Sequence, residues 1–191
     1  MKDCILIGNS SSALEKNLEQ QINSFKNVIR FNRFRIKGFE KKLGKKCTHW
    51  VTGYNLATAN MPVNRNYFKD NLDRLKSEHP ELKQIIVLTS TLTKKKDKDI
   101  LKLAELNNSI GIELIYKEYK PFFKIKPTSG FLAIKYFLKK FSKISIVGFD
   151  FGKSYHYWGN ESIADAPAPN NKHSWVKEKE YVINNPNITM L

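Results

Sequence analysis

The sequence predicts an α/β fold: one domain over residues 1–191, with a mostly parallel sheet of about seven strands and helices on both faces. Short β-rich runs alternate along the chain with segments whose apolar residues recur at helical spacing. Some runs, such as Gln84 to Leu88, lack the polar alternation of a half-exposed strand, which is the pattern of a strand covered on both faces. A chain of 191 residues, 41% of them hydrophobic, buries one good core and is short for two.

The elements follow in order. Asp3 to Ile7 is an apolar run closed by Gly8-Asn9-Ser10-Ser11-Ser12, and Leu14, Leu18 and Ile22 then fall four apart, predicting strand, turn and helix. Val28 to Phe31 and Thr48 to Thr52 are the next strands, separated by a basic stretch with turns at Gly38 and Gly44. Asn55 to Asn66 is polar and contains proline, so it reads as a loop before a helix from Tyr67 to Glu78. Gln84 to Leu88 predicts a strand, Lys96 to Leu106 a helix and Ile112 to Tyr116 a further strand. Pro127-Thr128-Ser129-Gly130 is a turn leading into Phe131, Leu132, Ile134, Phe137, Leu138 and Phe141 at helical spacing, and Ile144 to Val147 is a strand ending in Gly148. Residues 151–172 have no period and contain Gly152, Gly159, Pro167 and Pro169, the features of an active-site lid or a disordered loop. A helix from Ser174 to Ile183 and a short strand from Asn187 to Met190 close the order.

Lys and Arg number 33 against 18 Asp and Glu, a net charge of +15, which favours anionic partners: a nucleotide, an acidic glycan, a lipid headgroup surface or nucleic acid. Nowhere do about 18 apolar residues run together, so neither a membrane span nor a signal peptide is expected. Cys4 and Cys47 supply no disulfide framework and no metal cluster, which fits a reducing cytoplasm.

Several stretches could carry chemistry. In a sheet of this kind ligands sit beyond the carboxyl ends of the strands, where Gly8, the Asn32 region, the Thr128 turn and Gly148 would gather. Thr128 and Ser129 offer cap hydroxyls beside Gly130 at a helix start, a good place for a nucleotide and equally the form of an ordinary capped core helix. Gly8-Asn9-Ser10 matches neither the dinucleotide fingerprint nor a phosphate-binding loop. Arg30-Phe31-Asn32-Arg33-Phe34 ends a strand with cations and an amide that could serve a base or sugar, or be a solvated basic loop start. His49, within a strand, and His79, before Pro80 at a helix end, read as structural. His156 lies inside the aperiodic loop and His173 at its far end, suggesting a general acid and base, although surface histidines are also common in loops. Asp150, Glu161 and Asp165 are scattered and no Asp-x-Asp occurs, so a metal-chelated nucleotide-sugar site is not indicated.

The order and content of four stretches resemble the sialyl motifs of glycosyltransferase family 29, the animal-type sialyltransferases. Cys4-x-x-x-Gly8-Asn9-Ser10, Val28-x-Arg30-x-Asn32, Gly38-Phe39-Glu40 and Leu43-Gly44-x-Lys46-x-Thr48 are similar to the large motif. Pro127-Thr128-Ser129-Gly130 through Ile144-x-Ile146-x-Gly148-Phe149 resembles the small motif, His156-Tyr157-Trp158 the third, and His173-x-x-x-x-Glu178 the very small one. A looser likeness extends to the bacterial sialyltransferases of family 42, which share the Gly-Asn opening and the Thr-Ser-Gly turn. The resemblance implies a Rossmann-like fold of the GT-A variant type and a CMP-activated donor, with no cofactor and no metal. It implies that Asn9 and Asn32 contact CMP, that Gly8 and Ser10 belong to the same donor site, and that Thr128, Ser129, Gly130, Gly148 and Phe149 lie around cytidine and ribose. His173 would be the general base towards the acceptor hydroxyl and His156 the partner of the departing phosphate, with Glu178 and Tyr157 in support. The family cysteine matching Cys4 pairs with one in the small motif, where this chain has Phe141, so that disulfide is missing.

The expectation is a metal-independent, inverting transferase of sialic acid or a related ulosonic acid. It would act on a glycan or glycolipid acceptor in bacterial lipooligosaccharide or capsule synthesis, in the cytoplasm and in peripheral contact with the anionic inner face of the membrane. A basic nucleic-acid-binding module, prompted by cations and aromatics in Arg30 to Phe39 and Tyr116 to Lys126, is the alternative; it leaves the paired histidines unexplained, and no nucleic-acid partner is expected.

Overall fold

A computed structural model of the chain describes residues 3–53, 67–89, 111–116, 127–158 and 173–191. Its strands are β1 (Cys4–Ile7), β2 (Asn27–Phe31), β3 (His49–Gly53), β4 (Gln84–Thr89), β5 (Gly111–Tyr116), β6 (Ile144–Val147) and β7 (Ile188–Met190). The helices are α1 (Glu19–Asn23), α2 (Glu40–Leu43), α3 (Tyr67–Glu78), α4 (Ser129–Lys140) and α5 (Trp175–Ile183). The expected helix at Lys96 to Leu106, the expected loop Asn55 to Asn66 and residues 159–172 of the expected lid lie outside the described residues. The chain divides into two compact units, Met1–Lys46 with Tyr119–Leu191, and Cys47–Glu118.

In the first unit β1 lies between β2 and β6, and β7 continues beyond β6, every pair parallel. A strand with parallel neighbours on both sides is apolar on both faces, and all four residues of β1 are buried. Complete burial of Ile5, Leu6 and Ile7 contributes about 1.5–3 kcal/mol each. Ile22, Phe25, Val28 and Leu43 pack with Ile5 and Ile7 in one core cluster.

The spacing of Leu14, Leu18 and Ile22 predicts one helix, and two short pieces form instead: a 3-10 turn at Ser11–Leu14 and then α1. The Ser10 side chain caps the first piece by accepting from the Ser12 N–H, and the Leu18 N–H turns away to the Lys42 carbonyl. The spacing still serves its purpose, since Leu18 and Ile22 are buried.

Arg30 departs from both readings of its segment. Its side chain is fully buried, donating from Nε to Lys46 O at 3.0 Å and from Nη2 to Leu43 O at 2.7 Å and Gly44 O at 3.1 Å. The Leu43 and Gly44 carbonyls close α2, where a helix leaves acceptors unpaired and favours a cation. Arg30 therefore ties β2 to the α2 turn rather than reaching for a ligand or for solvent.

In the second unit β3 pairs with β4 and β4 with β5, again parallel, and Trp50, Val51 and Ile85 to Leu88 are buried. His49 and His79 are buried here; the His49 ring lies 2.8 Å from Thr48 Oγ1 and His79 Nδ1 3.8 Å from Glu81 Oε1. No described helix is long and apolar enough to cross a membrane.

Candidate functional site

The first unit contains a topological switch point. From β1 the chain passes to β2 on one side, while β6 occupies the other, and the register sets Ile7 opposite both Arg30 and Val147. The carboxyl ends of the three strands therefore share one edge, which is where parallel sheets leave a crevice for ligands. Gly8, Phe31 with Asn32, and Gly148 emerge together there.

The backbones of Gly8 and Gly148 meet too closely for side chains. The Gly8 N–H donates to Val147 O at 2.8 Å, and a Cβ on Gly8 would lie 2.1 Å from Gly148 O. Gly148 adopts a φ of +72°, a left-handed backbone that glycine accepts without steric cost. The Phe149 ring fills the space above, edge-on to Phe31 at 5.7 Å and against Gly130 at the start of α4. Asn32 takes a φ of +46°, a conformation asparagine tolerates better than most residues, as β2 turns into its loop.

Asn9 gives its amide to two carbonyls of that loop, with Nδ2 at 3.1 Å from both Phe31 O and Arg33 O. This fixes the amide's orientation and leaves Oδ1 as an acceptor, suited to a sugar hydroxyl or an amino group rather than to phosphate. The next residues receive the His156 segment. Tyr157 N–H donates to Asn9 O at 2.9 Å, Ser11 N–H to Tyr155 O at 3.0 Å, and Ser10 and His156 form an antiparallel bridge between them. Tyr157 is buried; its hydroxyl donates to Arg35 O at 2.6 Å and accepts from the Arg35 N–H at 3.2 Å. Burial pushes its phenol above the ordinary range against the opposing pull of Arg30 and Arg35. His156 is exposed, with its ring 5.1 Å from that of Trp158, over which the Arg35 guanidinium lies at 5.7 Å.

A second group forms at the start of α4. Thr128 caps the helix, its hydroxyl accepting from Phe131 N–H at 3.0 Å. Glu178, 1% exposed in the first turn of α5, accepts from Thr128 N–H at 2.8 Å and from its hydroxyl at 2.7 Å. Burial raises the Glu178 carboxyl pKa, and the two hydrogen bonds from Thr128 partly offset this. The helix N-terminus thus already faces a carboxyl group, and Thr128, Ser129 and Gly130 are all half-buried. His173, half-buried, stands edge-on to Trp175 at 5.3 Å, and the Trp175 indole packs on Gly152. His173 is in this way tied to the loop that begins at Asp150.

The sequence reading gives Asp150 no role, and the structure gives it one. Its Oδ1 accepts from Gly152 N–H at 3.2 Å and its Oδ2 from the Ser154 hydroxyl. The legible signal was the Asp-x-Gly turn, in which an aspartate bonds its own backbone two residues on. A groove of about 270 Å³ borders the same turn, with Ser12, Phe149, Asp150, Lys179 and Leu191 in its lining; neither His156 nor His173 lines it. Among the described residues no three His, Cys, Asp or Glu side chains gather as a metal site.

A family model described as glycosyltransferase family 29 (sialyltransferase) matches residues 1–184. The mouse CMP-N-acetylneuraminate-beta-galactosamide-alpha-2,3-sialyltransferase 2 is 24% identical over 172 residues, covering 84% of this chain and 47% of that protein. The chicken CMP-N-acetylneuraminate-beta-galactosamide-alpha-2,3-sialyltransferase 1 is 25% identical over 177 residues, covering 85% and 49%. The chain spans about half the length of the curated relatives it matches. The solved structure of an alpha-2,3-sialyltransferase from Campylobacter jejuni in apo form covers all of this chain and 75% of its own, at TM-score 0.61 and 21% identity. A mammalian sialyltransferase in complex with Gal-beta-1-3GalNAc-ortho-nitrophenol does so at TM-score 0.60 and 16% identity, with 69% of its own chain covered. The last two likenesses are of fold.

Proposed function

The chain belongs to glycosyltransferase family 29, the sialyltransferases, and we propose that it moves sialic acid, or a related ulosonic acid, from a CMP-activated donor to a hydroxyl of an acceptor glycan. The observation that carries this reading is the pairing of the His156 segment onto Asn9–Ser11 at the switch point of the sheet. It sets an imidazole beside the turn where a nucleotide is expected.

In the proposed reaction CMP lies across Gly8, Asn9 and Asn32, with Phe149 and the Thr128–Gly130 turn around cytidine and ribose. Asn9 Oδ1 accepts from a hydroxyl or amino group of the nucleotide. His173 takes the proton of the acceptor hydroxyl, and His156 stabilises or protonates the departing phosphate. Glu178 and Tyr157 hold the two turns. The donor already carries a good leaving group on a tertiary anomeric carbon, so orientation, a base and a phosphate partner suffice. That chemistry supports an inverting displacement without metal, with residues 1–191 acting as one catalytic domain.

The acceptor is proposed to be a glycan or glycolipid of a bacterial surface, such as lipooligosaccharide or capsule. Beta-galactosamides head the acceptor panel because the relatives' names specify them. Cys4 and Cys47, buried and in no disulfide, support a reducing compartment, and the +15 charge supports contact with an anionic membrane face. His173→Ala should abolish transfer while CMP affinity, read by calorimetry, stays within about threefold. Retained transfer refutes the base assignment, and loss of activity on adding a chelator refutes metal independence.

A further inference from the structure

We propose that Asp150 and Ser154 are positioning residues of the transfer reaction, holding the His156 segment in register on the Asn9–Ser11 turn. The inference rests on the sialyltransferase reading for its catalytic consequence and on hydrogen-bond chemistry for its structure. A carboxylate only accepts, so the Ser154 hydroxyl must donate to Asp150 Oδ2. The Ser154 oxygen is then left to accept, and two donors converge on it: Ser11 N–H at 3.2 Å and the Ser10 hydroxyl at 3.2 Å. With its proton given to Ser154, the Ser10 oxygen accepts from Ser12 N–H at 3.2 Å and from the Ser12 hydroxyl at 2.7 Å. The chain of hydroxyls has one polarity, running from Ser12 through Ser10 and Ser154 to Asp150.

The placement matters because of what Ser10 faces. Ser10, 8% exposed, is the residue bridged to His156. Ser154 stands two positions before His156, and its oxygen shares the Ser11 N–H with the Tyr155 carbonyl. An exposed histidine on a loop takes its position from its backbone, and a displacement of about 1 Å at a reacting group can cost roughly 100-fold in rate. Asp150, beside Phe151 with its left-handed φ of +59°, fixes where that loop starts, and Ser154 fixes where it lands. Neither residue needs to touch the donor. The arrangement also commits the Ser10 hydroxyl internally, so Ser10 serves the donor turn by supporting it.

Ser154→Ala, Ser154→Thr, Asp150→Ala and Asp150→Asn test this on the whole chain, with CMP-sialic acid as donor. Ser154→Ala and Asp150→Ala should lower kcat roughly 10- to 100-fold with donor KM within about threefold. Ser154→Thr keeps the hydroxyl and should restore most of kcat, whereas Asp150→Asn keeps one of the two acceptor oxygens in use and should fall between Asp150→Ala and the parent. Amide exchange supplies a readout independent of catalysis: the Tyr157 N–H should exchange at least about tenfold faster in the alanine variants while β1 amides keep their protection. If the unsubstituted protein transfers no sialic acid, the functional reading fails, and exchange at Tyr157 still decides whether the staple holds the loop. Unchanged exchange in both alanine variants, or a folded Ser154→Thr that stays as slow as Ser154→Ala, overturns the proposal. Should Ser154→Ala lose β1 protection as well, the two Asp150 variants decide on the same criteria.

Discussion

Replacing Glu178 tests how the two ends of the candidate site are joined. Its carboxyl is 1% exposed and takes both the N–H and the hydroxyl of Thr128, at 2.8 and 2.7 Å. Hydrogen bonds to a charged group contribute about 1.5–3 kcal/mol each, and burying the carboxyl offsets part of that sum. Glu178→Ala should therefore destabilise the protein by about 2–4 kcal/mol, or roughly 5–15 °C in Tm for a chain of this size. Glu178→Gln keeps an acceptor for the Thr128 N–H and presents a donor to its hydroxyl oxygen, so its cost should stay near about 1 kcal/mol. The pH dependence has a definite sign. Burial raises the Glu178 pKa, so the folded state holds that proton more tightly than the unfolded one. The resulting stabilisation is fully present below the ordinary carboxyl value of 4.5 and is lost as pH rises through the folded value. Urea denaturation of the three proteins from about pH 4 to about pH 7 should show the advantage of the parent over the Glu178→Gln variant shrinking as pH rises. An advantage that grows with pH, or a Glu178→Ala cost under about 0.5 kcal/mol, refutes the reasoning.

Two further outcomes follow from packing and burial. Gly8→Ala places a methyl 2.1 Å from Gly148 O, a backbone atom that cannot swing aside, and should cost at least about 3 kcal/mol; a Tm within about 2 °C of the parent would refute the close approach. Burial holds the Cys4 thiol up at about 12 from 9.0, so it should react with a thiol reagent near pH 8 only as fast as the protein unfolds, and a burst of labelling at Cys4 would contradict its burial.

Much of the fold was legible because apolar periodicity reports burial directly. Asp3 to Ile7 read as an apolar strand and Gln84 to Leu88 as a strand covered on both faces, and Ile5 to Ile7 and Ile85 to Leu88 are buried in parallel ladders. The same signal misjudged Leu14 to Ile22, since a four-residue spacing says which residues face the core and not that one continuous helix presents them. Arg30 was misread because charge suggests solvent, whereas its apolar neighbours Val28, Ile29 and Phe31 were the better guide to a buried side chain ending on carbonyls. Within the candidate site, Gly8, Gly148 and the Thr128 turn were visible as breaks after strands and before a helix. Asp150 carried the local signal of an Asp-x-Gly turn, but Ser154 was not visible, because its link to Ser10 spans 144 residues and no local pattern encodes a contact of that length. Glu178 illustrates the same limit: its spacing from His173 was readable, its partner Thr128, 50 residues away, was not.

The most direct measurement is mass spectrometry of a galactose-terminated acceptor after incubation with the purified chain, comparing CMP-sialic acid with UDP- and GDP-activated sugars, each with and without a chelator. One sialic acid added per acceptor, from the CMP donor alone and undiminished by chelator, is the predicted result. An unmodified acceptor, together with calorimetry showing no preference for CMP over UMP and GMP, would contradict a CMP-sugar site at the Gly8–Gly148 edge.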